Sequence, residues 1–100
     1  MAGMEYLEAP QEVKDDLAAL LQGSEDRYSD LQLHFLLRLN HLLRLRRQQR
    51  GQLNAGGLRL LDRAIFSTYR DCARAGVSAE AEKVVQFVGS QSPGRRSSDN

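Results

Sequence analysis

Residues 29–50 read SDLQLHFLLRLNHLLRLRRQQR, from Ser29 to Arg50, and the fold turns on this run. It holds neither glycine nor proline, so nothing in it interrupts a helix. Placed on a helix at about 100° per residue from Tyr28, the side chains of Leu45, Leu31, Leu42, Phe35, Tyr28, Leu39, Leu43 and Leu36 fall within an arc of about 180°. One neighbouring helix cannot cover an arc that wide, so the spacing predicts packing against two or more. Leu33 and Leu37 project on the opposite side of this wheel, at roughly 140° and 180°. With few helices available to cover them, they are expected on the outer face, either as a partner contact or else solvated or half covered by the N-terminal arm.

The helix changes character at its C-terminal end. Arg38 lies near the edge of the apolar arc, Arg46 and Arg50 continue its centre line, and Arg44 and Arg47 complete a cluster. Arginines in a last helical turn complement the negative end of the helix dipole, worth about 0.3–1 kcal/mol each, and their stems cover apolar surface. The cluster also suits recognition of an acidic surface or a phosphate backbone. The chain carries twelve arginines and two lysines, and the guanidinium fork pairs with carboxylates and phosphates in a bidentate manner. Leu33, Leu37, Arg38, Arg44, Arg46 and Arg47 are therefore the expected partner-binding residues.

Glycine and proline divide the rest of the chain. Pro10 suits the first turn of a helix continuing through Val13, Leu17, Leu20 and Leu21, with Glu12 in its positive first turn and Gly23 as a left-handed stop. Ser24 or Ser29 is expected to cap the long central helix, about 24–50, which ends where Gly51 and the stretch Asn54, Ala55, Gly56, Gly57 form a loop. A third helix is expected from about Leu58 to Ala75, with Leu58, Leu61, Ile65, Tyr69 and Cys72 on one stripe. Gly76 then takes the left-handed position and Val77 supplies its apolar contact. Ser78 is expected to cap a fourth helix that carries Ala81, Val84, Val85 and Val88 on one face and ends at Gly89.

No alternating β-branched run and no Asn-Gly or Asp-Gly hairpin turn competes with this pattern. The sequence predicts an all-α fold, a small bundle of three to four helices over residues 9–89, with a flexible N-terminus (1–8) and a disordered Ser/Arg tail (90–100). In that tail the Ser92, Pro93 pair and the run Arg95, Arg96, Ser97, Ser98 fit a proline-directed and a basophilic kinase.

Length limits what the bundle can bury. A domain with roughly 75 to 80 ordered residues removes only about 60 to 65% of its unfolded surface from water, leaving a stability of a few kcal/mol without a disulfide, metal or partner. Cys72 is the single cysteine, so no internal disulfide forms, and the lone thiol fits a reducing compartment, cytoplasmic or nuclear. No segment approaches the roughly 18 consecutive apolar residues of a membrane span. Glu5 and Glu8 near the start argue against a secretory signal or an Arg-rich transit peptide, and Ala2 precedes Gly3, which breaks the myristoylation pattern.

The net charge of +1 conceals a polarity along the chain. Residues 1–30 hold eight acids against Lys14 and Arg27, a balance of −6; residues 31–76 hold nine arginines against Asp62 and Asp71, a balance of +7. The first expectation is internal, an acidic first helix lying over basic later ones. The alternative is external, each half steering a different partner.

The residues that could carry chemistry are few and poorly placed for it. His34 and His41 share a side of the long helix but lie about 10.5 Å apart along its axis, too far to chelate one metal ion. Asp15 and Asp16 are adjacent and diverge by about 100°, which is wrong for two carboxylates sharing a proton. Gly56 and Gly57 open a helix but lack the preceding strand and the Gly-Lys-Ser/Thr ending of a phosphate cradle. Cys72 sits on an apolar stripe with no nucleophile motif around it. No catalytic residue, cofactor or metal ligand is assigned.

Leu53, Asn54, Gly57 and Leu58, with Gly76, Val77, Ser78, Glu80, Ala81 and Val84, look somewhat like the helical hairpin of the MOZART family of γ-tubulin-complex microproteins. Members are small all-helical proteins that bind helical extensions of larger subunits, so the resemblance implies a docking role. The reading of the residues themselves leads to a non-enzymatic helical adaptor or small subunit of a multiprotein complex. It would bind a larger protein, a helical segment of one, or a second copy through the leucine surface of the long helix with flanking arginines. The alternative is an RNA- or DNA-binding accessory protein using the arginines from Arg38 to Arg74. Against nucleic acid stand the pI of 7.9, the absence of aromatics among the arginines of the long helix, and the lack of any zinc-finger, homeodomain or RNA-recognition signature.

Overall fold

The computed structural model describes residues 11–49 and 51–90. All regular structure among them is helical: α1 (Gln11–Leu21), a short 3-10 turn (Glu25–Arg27), α2 (Asp30–Gln48), α3 (Ala55–Arg74) and α4 (Ser78–Ser90). The expectations for Pro10 and the N-terminus, for Arg50 and for tail residues 91–100 lie outside the described residues.

Side-chain capping sets the true element boundaries. Tyr28 and Ser29 are extended, with ψ of 149° and 163°, so α2 begins at Asp30 and the 3-10 turn occupies the start expected for it. Ser29 Oγ accepts the Gln32 N–H at 3.1 Å while Gln32 Oε1 accepts the Ser29 N–H at 2.9 Å, a reciprocal capping box. Ser24 makes no cap; its hydroxyl donates to the Leu21 carbonyl at 2.5 Å. α3 starts ahead of the expected Leu58 because Asn54 Oδ1 accepts the Gly57 N–H at 2.7 Å and draws both glycines into the first turn.

The C-terminal stops are left-handed caps. After α3, Val77 N–H donates to the Cys72 carbonyl at 2.9 Å and Gly76 N–H to that of Ala73 at 3.1 Å, with Gly76 at φ 84° and Val77 buried. After α1 the same two bonds run from Gly23 to Ala18 and from Gln22 to Ala19. The first left-handed residue there is Gln22 at φ 55°, with Gly23 following at φ 80°. Val77 also accepts the Ala81 N–H at 2.9 Å, so Ser78 is the first residue of α4 rather than its cap.

α2 is the spine and packs against α1, α3 and α4. The core joins Val13, Leu17 and Leu21 of α1, Leu33, Leu36, Leu37 and Leu39 of α2, Cys72 of α3, Val77, and Ala81, Val84 and Val88 of α4. Here the outer-face expectation for Leu33 and Leu37 is overturned: they are 6% and 3% exposed, whereas Leu31, assigned to the inner arc, is 58% exposed. Leucines surround most of α2, so its own pattern names no single inward direction. Arg44 shares the side of Leu33 and Leu37 on the wheel, and it is tied to Glu12 and Asp16 of α1. α1 therefore lies over that side and makes it core.

Candidate interaction surface

The six residues expected to form one site do not come together. Leu33 and Leu37 are interior. Arg44 holds Asp16 Oδ2 through Nε at 2.7 Å and through Nη2, and reaches Glu12 Oε2 through Nη1 at 3.1 Å. Arg46 Nε donates to Asp62 Oδ1 of α3 at 2.5 Å, and that carboxylate raises the guanidinium pKa, by hydrogen bond first and charge second. Arg38 Nε donates to Thr68 Oγ1 at 3.3 Å, and Thr68 in turn donates to the Ala64 carbonyl at 2.7 Å. Arg47 is half-buried. Most of the cluster thus stitches α2 to its neighbours, as the internal reading of the charge polarity anticipated for α1.

Two phenols tie α4 to the bundle. Tyr28 donates to Glu80 Oε2 and Tyr69 to Glu82 Oε2, each at 2.7 Å. These hydrogen bonds, followed by burial, push both phenol pKa values up.

The two most exposed large apolar side chains among the described residues, Leu60 and Phe66, lie on α3. Its fully buried side chains, Thr68 and Cys72, both belong to its C-terminal half. Its N-terminal half, facing the end of α2, leaves a shallow groove lined by Leu45, Gln49, Leu53, Gly57, Leu60, Leu61 and Ala64. Leu60 is 67% exposed on its rim. Gly57 permits the close approach that shapes the groove, since a Cβ there would meet Leu53 Cδ2 at 3.2 Å.

A second feature runs along the solvent side of the same helix. Arg59, Arg63, Arg70 and Arg74 are all exposed, and with Phe66 they fall within an arc of about 80° over a length of about 22 Å. Phe66 is 63% exposed, and the Arg70 guanidinium carbon stands 5.9 Å from its ring centroid. No carboxylate of α3 falls in that arc, and none of the four arginines forms an ion pair with a described residue. The sequence carries the signal in the spacing 59, 63, 66, 70, 74, beside the denser arginines of α2.

Other chemistry is sparse among the described residues. No three His, Cys, Asp or Glu side chains gather where they could hold a metal ion. The Cys72 thiol is buried, and burial, then the Asp71 charge, raises its pKa to about 11; it stays protonated at neutral pH. No described helix is long and apolar enough to cross a membrane. No protein-family model, curated protein or solved structure matches the chain.

Proposed function

We propose that the protein is a non-enzymatic helical adaptor, or small subunit, that docks on a larger protein through the open side of its α2–α3 hairpin. One observation carries this reading: an apolar groove, rimmed by the two-thirds exposed Leu60, at the end of the hairpin that the core does not fill. Exposed leucine beside half-buried Leu45, Leu53 and Leu61 gives a partner segment a place to bury apolar side chains, as helix-in-groove recognition requires. The docking residues are Leu60, Leu53, Leu45 and Leu61, in place of Leu33 and Leu37. The lone buried thiol fits the cytoplasm or nucleus, and the Ser92, Pro93 pair and the Arg95–Ser98 run are kinase sites in this reading.

The nucleic-acid alternative gains one observation, the arginines of α3 that form no ion pair among the described residues. The docking reading is tested by tagging the protein in its own cells and recovering it with and without nuclease. A stoichiometric, nuclease-resistant protein partner is expected, lost on Leu60→Asp while the circular dichroism of the purified variant stays unchanged. Retention of every partner by Leu60→Asp would place the docking site elsewhere. Loss of all partners on nuclease treatment would favour nucleic acid.

A further inference from the structure

We infer that the solvent face of α3, Arg59, Arg63, Arg70 and Arg74 around Phe66, binds an acidic amphipathic helix of a partner protein. The inference rests on the docking reading and names the chemistry that the partner must bring. The four guanidinium groups recur at i, i+4, i+11 and i+15, with the phenyl ring at i+7, so they repeat with the period of a helix. A second helix laid along this face presents carboxylates at the same period and an apolar residue at the ring. Each arginine is exposed and forms no ion pair with a carboxylate among the described residues, unlike Arg44 and Arg46, whose charges the fold already uses. The cost of ordering these long side chains is borne only when a partner supplies carboxylates, which makes the face selective for acidic sequence.

Charge alone would equally suit a phosphate backbone, but two observations favour protein. Leu60, about two-thirds exposed on the same helix and about 40° beyond the edge of the arginine arc, offers an apolar contact that a protein can use and a phosphate backbone cannot, whereas Phe66 suits either, since bases stack on aromatic rings. The whole chain has a net charge of only +1, so the long-range field that draws polyanions to basic proteins is weak. The Arg70 guanidinium held near the Phe66 ring also pre-orders the centre of the face, where a binding hot spot gains most.

The test uses the full chain and a fluorescent synthetic helical peptide about 20 residues long, long enough to span the face, with glutamates at i, i+4, i+11 and i+15 and a leucine at i+7. Its control replaces the glutamates with glutamine, and the competing ligands are single-stranded and duplex RNA of mixed sequence. Anisotropy titrations are expected to show the glutamate peptide binding about tenfold tighter than the glutamine peptide, the combined effect of several exposed pairs. The double variant Arg63→Gln, Arg70→Gln is expected to weaken the glutamate peptide by a similar factor, with the fold intact because both side chains are exposed. Equal binding of the two peptides, or binding of neither, overturns the inference; tighter binding of RNA than of the peptide replaces it with the nucleic-acid reading. In cells, a partner lost on Leu60→Asp but retained by the double arginine variant leaves the docking reading standing and removes this one. A chain with no protein partner at all removes the docking reading.

Discussion

Asn40 lies fully buried on α2, and neither its Nδ2 nor its Oδ1 finds a hydrogen-bond partner among the described residues. An unsatisfied buried amide costs about 1–3 kcal/mol, whereas an apolar side chain of similar size would lose nothing there and gain burial. Asn40→Leu is therefore expected to stabilise the bundle by about 1–3 kcal/mol, raising Tm by roughly 4–8 °C per kcal/mol for a domain of this size. Thermal melts followed by circular dichroism check this, and a lowered Tm would mean that the pocket rejects leucine or that the amide is satisfied. Thr68, the other buried polar side chain, is bonded to Ala64 and Arg38 and carries no such liability. Cys72 contributes at the alkaline end. Its thiol pKa rises from 9.0 to about 11 in the fold, so the unfolded chain releases that proton first as pH increases. The associated stability is complete below pH 9.0 and is lost as pH rises towards about 11. The raised phenols of Tyr28 and Tyr69 act in the same direction. Urea melts of Cys72→Ala between those limits are expected to show a shallower decline of stability with pH than the parent, and an identical slope would assign the decline to the phenols alone.

At the level of the element, the ends of the helices carry more information than their middles. Ser29 caps the start of α2 with both bonds of a capping box, and Ser29→Ala removes the acceptor of the Gln32 N–H while the bond from the residue 29 backbone N–H to Gln32 Oε1 survives. The expected loss is about 0.5–2 kcal/mol, seen as a lower urea midpoint with an unchanged slope; an unchanged midpoint would show that the 3-10 turn before it holds the entry by itself. Caps of this kind were legible in the sequence because they are local. Ser29 was one of two candidates, Gly76 and Val77 took the conformations expected of them, and the misplaced starts of α3 and α4 trace to an Asn54 side chain and a Val77 carbonyl that span only a few residues. The facing of α2 was not legible, because leucine occupies so much of its circumference that only the position of α1 decides which leucines become core. Leu33 and Leu37 were misplaced for that reason. The Arg46–Asp62 pair is hidden for a related reason, since the two are distant in sequence and pattern along one helix does not reveal a pairing between two; the charge polarity of the chain, by contrast, does point Arg44 towards the acids of α1.

Across the whole molecule, packing is uneven along the hairpin. Leu36 and Leu39 of α2 meet a core that includes Cys72, Val77, Ala81 and Val84, all essentially inaccessible, so the N-terminal half of α2 and the C-terminal half of α3 hold most of the hairpin's fully buried side chains. The opposite half of the hairpin, from Leu42 through Leu61, holds half-buried leucines and the exposed Leu60, together with two glycines in the first turn of α3, each costing about 0.5–1 kcal/mol in a helix relative to alanine. Local opening there exposes little surface beyond what is already wet and so requires less free energy than global unfolding. Amide hydrogen exchange is expected to follow this division. Residues 58–61 should exchange by local opening at a rate insensitive to low denaturant, whereas residues 68–72 should exchange only with global unfolding, their opening free energy falling with urea. Equal protection of the two segments would show that the hairpin end is as cooperative as the core. The gradient also bears on docking, because an end that opens readily on its own is the end that gains most from a partner. If the docking reading holds, a bound partner slows exchange at 58–61 far more than at 68–72, by supplying the apolar cover that the four helices do not.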